Sequence, residues 1–126
     1  MLFYRSDKTG DFITFLTGKS GFTPVCDGES MTEVVANTTD AAQEKHVPVV
    51  TVDGKNVKVR VGSVDHPMLE KHYIPFIILE TRQGYQKKDL KPGDEPAAEF
   101  VLSADDEPVA AYEFCNLHGL WKTDIK

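Results

Sequence analysis

The stretch 48–61, Pro-Val-Val-Thr-Val-Asp-Gly-Lys-Asn-Val-Lys-Val-Arg-Val, indicates the class of fold. In its second half, Val57–Val61, valines alternate with Lys58 and Arg60, which is the period of a strand with one buried and one solvated face. The Asp53-Gly54 pair between the two valine-rich halves is a strong signal for a tight hairpin. The sequence therefore predicts an antiparallel strand pair that turns at Asp53-Gly54.

More strand-like segments follow this hairpin. Residues 74–81 form a nearly continuous apolar run, which is typical of a central strand, and Pro75 places its start at a strand end. Shorter segments suited to strands are 85–90, 99–102 and 109–114, with a loop at 91–96. Together with the hairpin, these make about seven short strands at the spacing of an antiparallel β-sandwich.

The N-terminal part, residues 1–36, forms a small separate unit in this interpretation. It consists of short extended pieces between glycines and a proline, and residues 12–16 suit a strand. Asn37–Asp40 marks a turn or linker, and Thr39 or Asp40 is a candidate cap for a short helical turn that reaches Glu44. The expected domains are residues 1–36 and residues 37–126.

Composition excludes several classes of protein. The chain has 126 residues, 40% of them hydrophobic, enough for one modest core. Its net charge is -6, and no basic stripe with interleaved aromatic residues is present, so we expect no nucleic-acid partner. No run is long enough to cross a membrane, and the first residues lack the pattern of a signal peptide, so a cytoplasmic protein is expected.

Metal-ligating residue types occur in three short segments. Cys115 and His118 lie three residues apart, and a thiolate and a neutral imidazole are good ligands for iron, copper and zinc. The other three histidines of the chain are His46, His66 and His72. A site drawing on all three segments would use every histidine and one of the two cysteines. On the strand layout above, these residues lie at strand ends, where loops can assemble a site.

The ligand set itself narrows the choice of metal. Four imidazoles and one thiolate exceed the four ligands of a closed zinc site. A blue-copper site would need a methionine after the cysteine, and none follows Cys115. Four nitrogens and one sulfur, with a sixth position free, suit an iron that binds and reduces a small ligand. The residues alone indicate a redox metal site.

Three segments together resemble one known family. Glu44-Lys45-His46-Val47-Pro48, His66-Pro67-Met68 with Glu70-Lys71-His72-Tyr73-Ile74, and Cys115-Asn116-Leu117-His118-Gly119-Leu120-Trp121 look like the signatures of superoxide reductase, the desulfoferrodoxin and neelaredoxin family. The resemblance covers about residues 37–122. It implies an immunoglobulin-like, seven-stranded β-sandwich that carries one mononuclear non-haem iron. It also implies an equatorial plane made by His46, His66, His72 and His118, an axial Cys115 thiolate, and superoxide binding opposite Cys115.

Two charged residues beside His46 have expected roles in this reaction. Lys45 would supply the local positive charge that draws an anion to an acidic protein, and would hydrogen-bond the bound peroxide directly or through water. The resemblance implies that Glu44 closes the sixth position of the ferric resting state. The implied reaction reduces superoxide to hydrogen peroxide with an electron from an external donor such as rubredoxin. The alternatives are an iron-binding storage or electron-transfer module without a substrate, and a superoxide dismutase. Family members are commonly homo-oligomers, so a homodimer or higher oligomer is expected.

The N-terminal segment is similar to the small desulforedoxin-like domain of the two-iron members. Phe3-Tyr4-Arg5, Gly10 and Thr23-Pro24-Val25-Cys26 carry this similarity. The second iron site of the family uses four cysteines. Here Ser6 and Thr9 stand at the first pair, and Cys26 is followed by Asp27. The resemblance therefore implies a degenerate domain that has lost its metal.

Overall fold

The computed structural model describes residues 1–19 and 21–126. These residues form two compact units, Met1–Val35 and Ala36–Lys126. The interpretation of residues 1–36 as a degenerate desulforedoxin-like domain stays a prediction. Secondary structure is almost entirely antiparallel β, so the predicted all-β class is confirmed. Among the described residues, no helix has the length and apolarity that would let it cross a membrane.

The first unit contains five short strands: β1 (Phe3–Arg5), β2 (Phe12–Thr14), β3 (Val25–Cys26), β4 (Glu29–Ser30) and β5 (Thr32–Val34). Strands β2, β1 and β5 form one antiparallel sheet in that order, and β3 pairs with β4. The strand predicted at 12–16 is limited to Phe12–Thr14. Asp27 and Gly28 both adopt positive φ, as a tight two-residue hairpin turn requires.

The second unit contains one short helix and seven strands. They are α1 (Gln43–His46), β6 (Pro48–Asp53), β7 (Asn56–Val61), β8 (Phe76–Thr81), β9 (Gly84–Asp89), β10 (Ala97–Val101), β11 (Pro108–Cys115) and β12 (Gly119–Asp124). The hairpin predicted at Asp53-Gly54 is confirmed, because β6 and β7 pair from Asp53↔Asn56 to Pro48↔Val61.

Two sheets of the second unit enclose its core. One has the strand order β10-β7-β6 and the other β12-β11-β8-β9. The alternating Val57, Val59 and Val61 are fully buried and pack in one cluster with Ile77 and Leu79 of the facing sheet. Burial of this apolar surface is the main stabilising contribution to a sandwich of this size. The immunoglobulin-like connectivity implied by the family resemblance stays a prediction.

Two details of the sequence prediction were wrong. The chain does not end its sheet at β11: a further strand, β12, pairs with β11 from Cys115↔Gly119 to Ala110↔Asp124. The apolar and polar residues of β12 do not alternate, so the sequence carries no clear strand signal there, although part of the strand is buried. Helix α1 also begins later than expected, with Ala42 at the N-cap and no side-chain cap, so neither Thr39 nor Asp40 caps it.

Candidate metal centre

The register of the sandwich brings the three ligand-bearing segments to one end. Helix α1 ends at His46 directly before β6, and β7 pairs antiparallel with β6, so the loop after β7 that carries His66 leaves at the same end. His72 precedes β8, and the end of β11 pairs with the start of β8 at Phe114↔Phe76. Antiparallel pairing thus gathers the ligand segments within each sheet, and the packing of the two sheets brings together segments that are up to 72 residues apart.

A tight hairpin presents Cys115 and His118. Cys115 is the last residue of β11 and pairs with Gly119, the first residue of β12. Gly119 has φ +82, a conformation that favours glycine. The hairpin turns the His118 backbone N–H toward the Cys115 sulfur, at 3.4 Å. The indole N–H of Trp121 donates to the His118 carbonyl oxygen at 3.1 Å, which holds the turn from behind.

Five ligand atoms converge at this end of the sandwich. One atom from each of His46, His66, His72, Cys115 and His118 lies within 4.8 Å of the others. His118 Nδ1 lies 3.2 Å from His46 Nε2 and 3.8 Å from Cys115 Sγ. The sequence prediction that these five residues meet in space agrees with this geometry.

The four imidazoles form a closed ring. His46 neighbours His66 and His118, and His72 neighbours the same two, with ring-centroid distances of 4.7 to 5.1 Å. Neighbouring rings stand nearly perpendicular, at 72° to 87°. Such a ring directs several nitrogens toward a common centre. The arrangement matches four nitrogen ligands placed around one ion, with the thiol as a fifth.

Backbone carbonyls orient two of the histidines. His46 Nδ1 donates to the Ala42 carbonyl oxygen at 2.7 Å, and His66 Nδ1 donates to the Pro67 carbonyl oxygen at 2.6 Å. Because a carbonyl only accepts, Nδ1 carries the proton in each ring, and the Nε2 lone pair is left free for a metal. His46 also stacks on Trp121, with centroids 5.0 Å apart.

Burial keeps the imidazoles of His46, His66 and His72 neutral. Desolvation lowers the pKa of His66 to about 4, against the hydrogen bond to Pro67, and the neighbouring imidazoles lower it further. Desolvation likewise lowers the pKa values of His46 and His72. Neutral imidazole is the form that binds metals. At neutral pH no proton therefore has to be displaced from these rings.

The cysteine is a thiol in the metal-free protein. Burial raises the pKa of Cys115, against the backbone N–H groups of Leu117 and His118, which lower it. The neighbouring Glu113 is fully buried, neither carboxylate oxygen has a hydrogen-bond partner, and burial raises its pKa well above the ordinary value. A bound cation would favour the thiolate form of Cys115 over the thiol, since a coordinating thiol loses its proton.

The residues present fit a transition-metal ion. Nε2 of His66 and Nε2 of His72 are buried without a hydrogen-bond partner, an arrangement that native proteins avoid unless something occupies the place. A metal ion would satisfy both atoms at once. The combination of imidazole nitrogens with one sulfur selects iron, copper or zinc over magnesium and calcium, which prefer oxygen.

Glu44 and Lys45 are placed differently from the five donors. Both are exposed and lie in α1, directly before His46. The Lys45 charge contributes to the lowered pKa values of His46 and His72, so its ammonium acts on the site electrostatically. The Glu44 carboxylate is not among the converging ligand atoms. The predicted roles of these two residues stay predictions.

Sequence reasoning missed two residues at the site. Gly62 lies beneath the Glu44–Lys45 backbone, and Asn116 bonds to the segment that carries His72. The only sequence signal for Gly62 is a glycine directly after a strand. Asn116 stands inside the Cys115–His118 motif, but a side-chain amide there gives no indication of what it contacts.

Comparisons with known proteins agree with this geometry. The family model described as desulfoferrodoxin matches residues 38–124. A desulfoferrodoxin of Clostridium acetobutylicum is 45% identical over 97% of this chain and 94% of its own. One from Nitratidesulfovibrio vulgaris is 46% identical over 96% of this chain and 94% of its own. The crystal structure of the superoxide reductase from Treponema pallidum is 43% identical and superposes with a TM-score of 0.80, covering 97% of this chain and 98% of that one.

The matched region contains all five converging ligand residues and all of strands β6–β12. A family match over most of the chain and a four-histidine, one-cysteine cluster in the fold thus lead to the same conclusion: the chain belongs to the desulfoferrodoxin family.

Proposed function

We propose that this protein is a superoxide reductase, an oxidoreductase that reduces superoxide to hydrogen peroxide at one mononuclear non-haem iron. The ligands would be His46, His66, His72, His118 and Cys115. The observation that carries the proposal is the closed ring of four imidazoles with a buried thiol beside it. Relatives that bear the name superoxide reductase, including the one from Treponema pallidum, support it.

The reaction needs one electron and two protons for each superoxide. When bound, iron supplies the electron by passing between the ferrous and ferric states. The remaining work falls to the side chains around it. Five ligands leave one position of a six-coordinate ion free, which is what a small substrate needs. A closed zinc-like site would give no such access.

Lys45 would attract the substrate. The net charge of -6 repels an anion at long range, but ions screen distant charges beyond about 8 Å at physiological salt. A local cation therefore dominates the last part of the approach. Lys45 is exposed and has no ion-pair partner among the described residues, so its Nζ can donate a charge-assisted hydrogen bond to the incoming anion.

Glu44 and Cys115 would tune the resting site. The Glu44 carboxylate offers a hard oxygen suited to ferric iron and would serve as the sixth ligand of the resting site. The Leu117 and His118 N–H groups withdraw charge from the Cys115 sulfur. Hydrogen bonds of this kind to a ligating sulfur raise a reduction potential. The hairpin turn thereby sets how strongly the sulfur donates to the ion.

The electron would come from an external carrier of the rubredoxin type. The described residues hold one group of three or more metal-binding side chains, and Cys26 in the first unit stands apart from it. A chain with one iron must be reduced again after each turnover, so the proposal includes a protein donor. A cytoplasmic location, expected from the sequence pattern, and a homodimer or higher oligomer, expected from the family resemblance, belong to the same proposal.

Metal analysis combined with spectroscopy and a superoxide assay tests this function. We expect about one iron per chain, a thiolate-to-iron charge-transfer band that bleaches on reduction, and superoxide consumption that requires a donor. Azide or cyanide should shift the spectrum by entering the free position. If neither anion changes the spectrum, the protein is instead an electron-transfer module. If superoxide is consumed without an electron donor, the protein is a dismutase.

A further inference from the structure

We propose that Asn116 is a positioning residue that holds His72 in the ring of four imidazoles. The inference rests on the iron site proposed above and assigns a role within it to a side chain that is not itself a ligand. Asn116 lies between Cys115 and the turn that carries His118, while His72 is 44 positions earlier in another loop. The side chain of Asn116 therefore joins two of the three ligand-bearing segments.

Three hydrogen bonds make this connection. Asn116 Oδ1 accepts from the Tyr73 backbone N–H at 2.9 Å, and Asn116 Nδ2 donates to the Lys71 carbonyl oxygen at 3.1 Å. The Asn116 backbone N–H also donates to the Tyr73 carbonyl oxygen, at 3.2 Å. The two side-chain bonds hold the backbone at Lys71 and Tyr73, on either side of His72, as hydrogen bonds from a neighbouring strand would. They fix the direction in which the His72 side chain leaves the backbone.

His72 depends on these bonds more than His46 and His66 do. The His46 and His66 rings are each oriented by a backbone carbonyl at their Nδ1. No hydrogen bond of the described residues reaches the His72 ring, and its Nε2 is buried without a partner. The backbone of His72 pairs with Leu69, but that bridge lies within its own loop and ties it to nothing else. Apart from its packing against the rings of His66 and His118, the position of the His72 ring is therefore set through its backbone.

We expect loss of the Asn116 bonds to lower the affinity of the site for metal and to distort the arrangement of ligands around it. Loss of a group that orients a metal ligand typically weakens metal binding by 10- to 100-fold. Removal of the Asn116 side-chain amide leaves only the bond from the Asn116 backbone N–H to the Tyr73 carbonyl oxygen between the two segments, so more of the order of His72 has to be imposed when the metal binds. We expect Asn116→Ala to weaken binding of Co²⁺, a spectroscopic substitute for ferrous iron, by about tenfold.

The chain offers a matched control in Asn37. Its side chain makes the same pair of bonds, Nδ2 to the Lys122 carbonyl oxygen at 3.2 Å and Oδ1 from the Lys122 N–H at 2.9 Å. Lys122 is on β12 and is not adjacent to a ligand residue. Asn37 has φ +64, so Asn37→Gly removes the two bonds without backbone strain. This variant reproduces the loss of stability and leaves the His72 segment untouched.

The experiment compares wild type, Asn116→Ala and Asn37→Gly as full chains. We expect weaker Co²⁺ binding, a changed ferric paramagnetic resonance signal and about tenfold faster exchange of the Tyr73 amide only for Asn116→Ala. Co²⁺ affinity and ferric signal equal to wild type in Asn116→Ala, with the Tyr73 amide exchanging faster, would overturn the inference. If Asn116→Ala fails to fold, Asn116→Ser replaces it under the same criteria. A wild type that binds neither Co²⁺ nor iron at the five ligands would instead contradict the proposed function.

Discussion

The Cα atom of Gly62 lies against the backbone of Lys45. A Cβ atom at position 62 would be 2.7 Å from the Lys45 Cα and would overlap the Glu44 carbonyl oxygen. The same carbonyl oxygen accepts hydrogen bonds from the Val64 N–H at 3.0 Å and the Ser63 hydroxyl at 3.3 Å. The turn after β7 therefore sets the position of the peptide that carries the Lys45 side chain.

Gly62→Ala should displace that peptide. Alanine at φ +77 carries a strain of about 1–2 kcal/mol, and the overlap with Glu44 adds to it. We expect a loss of unfolding free energy larger than the strain alone, and a slower reaction with superoxide because Lys45 moves. Urea unfolding and stopped-flow kinetics measure the two effects.

Gly54→Ala is the control for this substitution. Gly54 has φ +60, and a Cβ atom there meets nothing within 4 Å, so it carries the strain without the overlap. If Gly62→Ala costs no more stability than Gly54→Ala and reacts as fast, the close approach does not position Lys45.

Lys45→Ile should slow the second-order reaction with superoxide by roughly tenfold or more, because local attraction and one charged contact are lost. Iron content and visible spectrum should change little, since an ammonium is not an iron ligand. The wild-type rate should fall as salt rises, whereas the variant should lose that trend or invert it under the net charge of -6. Pulse radiolysis across a salt series measures both.

Lys88→Ile removes the same charge at an exposed position of β9, on an element that carries none of the five ligand residues. It should keep the wild-type rate and salt dependence. If Lys45→Ile reacts at the wild-type rate with the wild-type salt dependence, Lys45 is a solvated surface residue without a role in the reaction. Glu44→Ala should shift the ferric spectrum and spare the rate, because in the proposed reaction superoxide would meet the ferrous form, which Glu44 would not ligate.

Cys115→Ser should abolish the charge-transfer band and the activity, since an alcohol does not replace a thiolate as an electron-donating ligand. Cys26→Ser should leave both nearly intact. The Cys26 sulfur is partly exposed and lies 3.5 Å from the Thr9 hydroxyl in the first unit, outside the group of five ligands. Visible spectra and iron content of the two variants provide the measurement. Loss of activity in a folded Cys26→Ser protein would assign that thiol a role.

Asp106 should contribute to stability in a pH-dependent way. Burial favours a raised pKa for its carboxyl, but hydrogen bonds from Thr81 and from the Glu107 and Gln83 N–H groups outweigh it and lower the pKa. A carboxyl with a lowered pKa in the folded state stabilises above its unfolded pKa, and that contribution is lost as pH falls through the folded value. The unfolding free energies of wild type and Asp106→Asn should therefore converge as pH falls from about 6 to 2, since the unfolded pKa is about 3.9. Urea unfolding at a series of pH values measures this, and a constant difference would contradict it.

Much of the fold was readable from local pattern. The alternation in Val57–Val61 and the Asp53-Gly54 turn predicted a hairpin that the structure contains, because strand period and turn geometry depend on neighbouring residues only. Strand β12 was missed because its letters do not alternate cleanly. Its burial comes from the facing sheet, which no local window contains.

For the site too, some features follow from the sequence and others only from the tertiary structure. The sequence by itself determined the ligand types: three short segments supply four imidazoles and one thiol, and their chemistry is that of a redox metal site. Only the tertiary structure decided that the imidazoles close into a ring, that Gly62 lies beneath Lys45 and that Asn116 grips the chain around His72. Residue type sets what an atom can bond, whereas antiparallel register, burial and backbone conformation set which atoms meet across the chain.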